Sequence, residues 1–125
     1  MATSRGGEDL VVAIRELNSL GYSVDVLTLD ARRFLPQSRP RLFIVGSLNA
    51  PAQDERRISA LRPDWLQAPF NDPSLVTHRA VLPDPPPLLT SGLSEQVQRI
   101  DPMDSRWWDD ARREAFVSSL SPIQL

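Results

Sequence analysis

The sequence predicts an α/β unit, running helix, strand, loop, strand, followed by a proline-rich segment that is mostly irregular and helical. Three observations carry that reading. Leu10, Val11, Ile14, Leu17 and Leu20 recur at helical spacing. Two short β-rich runs follow, Tyr22 to Leu29 and Leu42 to Val45. After Ser47 the character changes: most of the twelve prolines lie between Pro51 and Pro122.

In chain order, Ala2 to Gly7 is a turn-like start, and a helix is expected from about Gly7 to Leu20. Glu8 and Asp9 stand in its first turn, where the helix dipole favours anions. Gly21 supplies the left-handed residue of a Schellman stop, with Tyr22 folding back on Leu17. The first strand alternates, Tyr22, Val24 and Val26 on one face and Leu27 and Leu29 on the other. Leu42 to Val45 is apolar at every position, so the second strand is expected to be buried on both faces. One helix covers only one face, and the prolines beyond Pro51 make poor cover for the other, since each removes a backbone donor. This argues for a sticky, incompletely covered sheet that self-associates or needs a missing half.

Pro83-Asp84-Pro85-Pro86-Pro87 reads as polyproline spacer. Short helical turns are expected near Pro63 to Gln67 and Pro73 to Ala80, each opened by proline at the first helical position. A longer helix is expected from Asp101 as N-cap and Pro102 at N1 through Trp107, Ala111, Ala115 and Phe116 to about Leu120. Ser121-Pro122 is a further start signal with only three residues after it, which points to truncation. The organisation expected is therefore residues 1–48 as one part and 49–125 as another. No internal repeat is present.

Composition sets limits. A chain of 125 residues, 41% apolar and 24% charged, fits one ordinary globular domain. No stretch approaches a membrane span and no signal-peptide pattern opens the chain, so no membrane partner and a cytoplasmic location are expected. A net charge of -2 gives no global attraction to nucleic acid, so DNA contact requires local clusters. All fourteen basic residues are arginine. With no cysteine, disulfides, zinc-thiolate sites and thiol nucleophiles are excluded for this chain.

The most informative stretch is the loop between the two strands, Asp30 to Arg41. It holds Arg32, Arg33, Arg39 and Arg41 and no acid after Asp30. In an extended segment residues two apart point the same way, so Gln37, Arg39 and Arg41 line one edge. One amide and two planar cationic forks suit phosphate or a base carbonyl. The competing reading is a solvated hairpin whose arginines pair with Asp25 and Asp30.

Taken together, LNSLGYSVDVLTLDARRFLPQSRPRLFIVG resembles the DNA (cytosine-5) methyltransferase family in the segment that ends in its Gln-x-Arg-x-Arg motif. The likeness runs from about Thr3 to Gly46. RPDWL, RWWDD and SLSPIQL look like the variable target-recognition region of some bacterial members.

That resemblance implies a fragment of an S-adenosylmethionine-dependent methyltransferase sheet, with 1–48 from the C-terminal part of the catalytic domain and 49–125 resembling a target-recognition region. By the family's pattern, Arg41 hydrogen-bonds O2 of a flipped cytosine and stabilises charge developing on the base. Arg39 and Gln37 brace the catalytic loop and the DNA backbone, and Arg32 and Arg33 add phosphate contacts. The partners implied are DNA and the missing N-terminal half. The family's Pro-Cys nucleophile, Glu-Asn-Val motif and glycine-rich S-adenosylmethionine site are not in this sequence. No cofactor, no metal and no activity are therefore expected of the chain alone, the cofactor belonging to the complete enzyme. Two other readings fit the residues: a non-enzymatic module whose arginine loop grips nucleic acid or an acidic partner, and an inert product of a broken gene.

Other candidates are weaker. His78 is the single histidine and is expected on the surface of a short helix. Asp109, Asp110 and Glu114 read as the solvated face of the last helix. Trp107 and Trp108 point about 100° apart on a helix, so one is expected in a core.

Overall fold

The computed structural model describes residues 4–124; the expected turn at Ala2 and Thr3 lies outside them, as does Leu125. The fold is mixed α/β. Helix α1 (Glu8–Ser19) ends as its sequence dictates: Gly21 takes φ 88°, its N–H donates to Asn18 O at 2.9 Å, and Tyr22 N–H donates to Leu17 O at 3.1 Å. Those two bonds are the Schellman pattern. Strands β1 (Ser23–Asp30) and β2 (Pro40–Ser47) form a two-stranded antiparallel sheet in register Ser23 to Ser47 through Asp30 to Pro40.

Leu10 and Ile14 of α1 pack on Val24 and Val26 of β1, and Leu66 and Leu75 complete the cluster. Leu42 and Ile44 of β2 touch it from the side. The expectation for the second strand is reversed: β1 is the strand enclosed on both faces, with Ser23 to Val26 all buried, while Phe43 and Val45 of β2 are 45% and 47% exposed. The reason is the course of the chain after β2. Residues 61–80 return to β1, not to β2, and they supply the cover that the prolines were expected to deny.

Four sets of bonds hold that return. Thr28 N–H donates to Leu61 O at 2.8 Å, and Val24 exchanges bonds with Val76 O and His78 N–H, both 3.1 Å. The Asn18 amide brackets the backbone of Val76, donating to its O at 2.8 Å and accepting from its N–H at 2.9 Å. The Asp25 carboxylate, 2% exposed, accepts from Arg62 Nε at 2.9 Å and also from Arg62 Nη2 and Ala80 N–H. Arg62, equally buried, closes the ring by donating to Ala80 O at 3.0 Å.

The helical turn expected at Pro63 to Gln67 is present as a 3-10 turn, Asp64–Leu66, with Pro63 as its cap, and runs on into a short helix α2 (Ala68–Asn71). The helical turn expected over Pro73 to Ala80 is present only as a tight turn at Pro73 to Leu75, Leu75 N–H donating to Asp72 O at 3.2 Å; from Val76 the chain is extended, in parallel pairing with β1 at Val24 and Thr77. Tertiary hydrogen bonds from Asn18, Val24 and Asp25 outweigh a proline start signal there. His78 accordingly sits in that segment, its Nδ1 2.9 Å from Ser23 Oγ, and not on a helix.

Beyond Ala80 no described residue is fully buried. A one-turn helix α3 (Leu93–Gln96) precedes helix α4 (Asp110–Ser119), which begins well after the start signal expected at Asp101 and Pro102. Asp101 and Asp104 each bend the chain back by accepting the N–H two residues on, from Met103 at 2.8 Å and Arg106 at 2.9 Å. Such local side-chain bonds compete with helix. Asp109 becomes the N-cap, accepting from Arg112 N–H at 2.8 Å. Neither tryptophan is core: Trp107 is 56% and Trp108 46% exposed, with Trp108 packed edge-on to Phe116 at 5.4 Å and under Arg112 at 4.7 Å.

Removing one partner of a buried ion pair leaves the other charge uncompensated, so Arg62→Ala is expected to lower the unfolding free energy by roughly 3 to 5 kcal/mol. The double change Asp25→Leu with Arg62→Met should recover most of that loss. Urea midpoints of both variants against the parent chain check both statements.

Candidate functional site

The arginine loop joins the paired residues Asp30 and Pro40 and so closes the hairpin at that end. It begins with a 3-10 turn, Ala31–Arg33, capped by Asp30. The Asp30 carboxylate is the hub: Oδ1 accepts from Arg32 N–H at 2.9 Å and Arg39 N–H at 2.7 Å, and Oδ2 accepts from the Ser38 hydroxyl at 3.0 Å. The amides of Arg32 and Arg39 hold its pKa below the usual aspartate range, helped by Ser38.

The pairing of loop arginines with Asp25 and Asp30, which the competing reading required, does not occur. Asp25 is taken by Arg62, and Asp30 receives backbone amides, not guanidinium groups. Among the described residues Arg32, Arg33, Arg39 and Arg41 form no ion pair. Gln37, Arg39 and Arg41 are all exposed, and Arg41 donates only to the neighbouring Pro40 O at 3.2 Å. The chain is extended from Ser38 onward, so the two-residue alternation joins Arg39 to Arg41; Gln37 lies in the bend before it, where its N–H donates to Leu35 O at 2.7 Å. Arg41 shares its sheet face with Phe43 and Val45, two and four positions along β2.

Arg32 and Arg33 have a role that sequence reasoning missed. The polyproline run folds back across the loop: Leu89 N–H donates to Arg32 O at 2.8 Å, Arg32 Nε donates to Leu89 O at 3.2 Å, and Arg33 Nη1 donates to Pro86 O at 2.7 Å. A polyproline strand keeps its carbonyls free of internal bonds, which makes it a ready acceptor for guanidinium donors. Each arginine engages the strap with part of its fork: Arg32 through Nε, Arg33 through one Nη.

Two concavities lie apart from the loop. A cleft of about 530 Å³ runs between the start of α1 and Trp65 to Asp72, and one of about 340 Å³ is bounded by Asp54, Phe70, His78 and Arg79. Among the described residues no cluster of three His, Cys, Asp or Glu has metal-ligating geometry.

The chain is thus a mixed α/β unit that displays unpaired guanidinium groups at the loop end of its hairpin. The sequence model described as C-5 cytosine-specific DNA methylase matches residues 1–91, so the chain belongs to that family. The match takes in the loop, the returning segment at 61–80 and the strap through Leu89, well beyond Gly46. Among curated proteins and among solved structures nothing matches the chain.

If Arg33 holds the strap, Arg33→Ala should raise amide exchange at Leu89 by roughly fivefold, the equivalent of about 1 kcal/mol for one exposed hydrogen bond. Exchange at Val24 and Val26 should not change. Residue-resolved exchange read by NMR distinguishes the two.

Proposed function

We propose that this chain is the part of a DNA (cytosine-5) methyltransferase that presents the arginine loop to a flipped cytosine and begins the DNA-recognition region. Residues 1–48 belong in this reading to the C-terminal part of the catalytic domain, with the hairpin as a piece of its sheet, and 49–125 to a target-recognition-like region. The observation that carries the reading is the unpaired, exposed state of Arg39 and Arg41 within the family-matched segment.

Arg41 donates to O2 of the cytosine and stabilises the negative charge that develops on the ring as C6 is attacked. A preorganised donor aimed at developing charge is worth about 2.7 to 4 kcal/mol of transition-state stabilisation in comparable sites. Arg39 and Gln37 brace the DNA backbone and the catalytic loop. The guanidinium nitrogens of Arg32 and Arg33 that do not hold the strap contact phosphate.

The attacking thiolate comes from outside this chain, which has no cysteine. S-adenosylmethionine does not fit the residues present: Arg5-Gly6-Gly7-Glu8 lacks the spacing of a glycine-rich cofactor loop. In this reading the methyl donor and its pocket belong to another part of the enzyme, and no methyl transfer is expected of these residues alone.

Mixing the chain with a separately expressed N-terminal half of a family member tests the reading. Methylation of duplex DNA should appear only in the mixture. Within it, Arg41→Ala should lower kcat by about 10²- to 10³-fold. Arg39→Ala should weaken DNA binding and reduce its salt slope by about one. Equal losses at both positions would mean a plain phosphate patch. DNA binding by the chain alone, with no restored methylation, would mean a binding module.

A further inference from the structure

The loop that carries the arginines is long and mostly exposed, and its local main-chain bonds, Phe34 and Leu35 N–H to Ala31 O and Gln37 N–H to Leu35 O, stop short of its second end. Across its mouth runs one weak main-chain bond, Ala31 N–H to Arg39 O at 3.3 Å. The other closures all converge on one side chain. Oδ1 of Asp30 binds the amides of Arg32 and Arg39, which lie at opposite ends of the loop, and Oδ2 binds Ser38 next to the second of them. Apart from that weak bond, Asp30 is what fixes the main chain at Arg39, the last residue before β2; Arg41 is already held in the ladder opposite Leu29, with Thr28 Oγ1 donating to its O at 3.2 Å.

We propose that Asp30 is the positioning residue of the arginine loop, setting the backbone at Arg39 so that Arg39 leaves the loop beside the strand-held Arg41 before DNA arrives. Its consequence for methylation rests on the function proposed above; its structural part does not. The role is geometric and not one of charge balance, and the two make opposite predictions. Neutralising a carboxylate that faces Arg32, Arg39 and Ser38 removes a negative charge from a DNA-facing surface, which by electrostatics alone strengthens binding. Loss of the anchor instead frees the loop and weakens whatever the arginines do in concert.

The side chain's chemistry supplies the controls. The Asp30→Asn variant keeps an Oδ1 able to accept from both amides, and Ser38 turns to accept from the new Nδ2. Asp30→Glu keeps the charge but moves the oxygens outward by one methylene. Asp30→Ala keeps neither. A positioning role therefore ranks the parent and Asp30→Asn together, above Asp30→Glu and Asp30→Ala; a charge role ranks the parent with Asp30→Glu.

The experiment has two arms. In the purified chain, the amide NMR signals of Arg32 and Arg39 are followed as pH falls. Both should titrate with one shared midpoint below the usual aspartate range, the bonds holding above that midpoint and being lost as pH falls through it; neither signal should titrate in Asp30→Asn. Independent titration, or none in the parent chain, overturns the proposal. In the reconstituted mixture, Asp30→Ala should lower kcat by roughly 10²-fold, the scale of a displacement of about 1 Å. Asp30→Asn should stay within about threefold, as asparagine and aspartate are equivalent caps. A mixture whose Asp30→Ala variant turns over like the parent overturns the proposal as well. A parent mixture that fails to methylate removes the proposed function instead, and the NMR arm then decides the role of Asp30 alone.

Discussion

The buried pair of Asp25 and Arg62 is the constraint on which the rest of this fold depends. A two-stranded hairpin with one helix cannot enclose a core, because one face of the sheet stays wet. Here Asp25 stands on the face away from α1, and its carboxylate collects the Arg62 guanidinium and the Ala80 amide from a segment tens of residues away. A carboxylate at that position is costly unless it is paired, so the segment carrying Arg62 has to return to it. Once it does, Leu66 and Leu75 arrive beside Val24 and Val26, and the apolar cluster closes. The ion pair fixes where the covering segment docks; the leucines provide the burial.

What could be read beforehand follows the range of the forces involved. The α1 helix, its Gly21 stop and both strands are set by residues within a few positions of one another, and all were legible. The loop arginines were legible too, as a cluster on a turn. Arg62 was not: nothing in the neighbouring sequence marks it as the partner of Asp25, and its pairing is a long-range event. The same holds for Val76 to Ala80, where a proline at position 73 signalled helix but hydrogen bonds from Asn18 and Val24 drew the chain straight. Asp101 failed for a different, local reason. It is a good N-cap residue, but with Asp104 nearby its side chain made tight turns instead, and Asp109 took the capping role.

The exchange of roles between the strands has a direct bearing on the site. Had β2 been enclosed on both faces, Arg41 would have had to reach out of a core. Because the returning segment covers β1, the Phe43 and Val45 face of β2 stays open, and Arg41 stands at the end of that same face. An apolar strip leading to a guanidinium is a surface on which dispersion and charge-assisted hydrogen bonding act side by side.

The arginine loop is held from two sides by interactions of different kinds. Inside, Asp30 gathers backbone amides; outside, the polyproline strap accepts from Arg32 and Arg33. The strap runs on directly into the exposed part of the chain that carries α3 and α4. Arg32 and Arg33 are therefore the points at which that part is tied to the hairpin, and a polyproline segment, stiff over several residues, transmits that tie better than a glycine-rich linker of equal length. Within the family to which this chain belongs, the cationic loop and the start of the segment beyond the strap are thus joined through two guanidinium groups. Both stand in the 3-10 turn that the aspartate caps, at the opposite end of the loop from the strand-bound Arg41. The loop thereby divides its four arginines between two tasks: one pair holds the strap, while the other remains unpaired at the loop end of the hairpin.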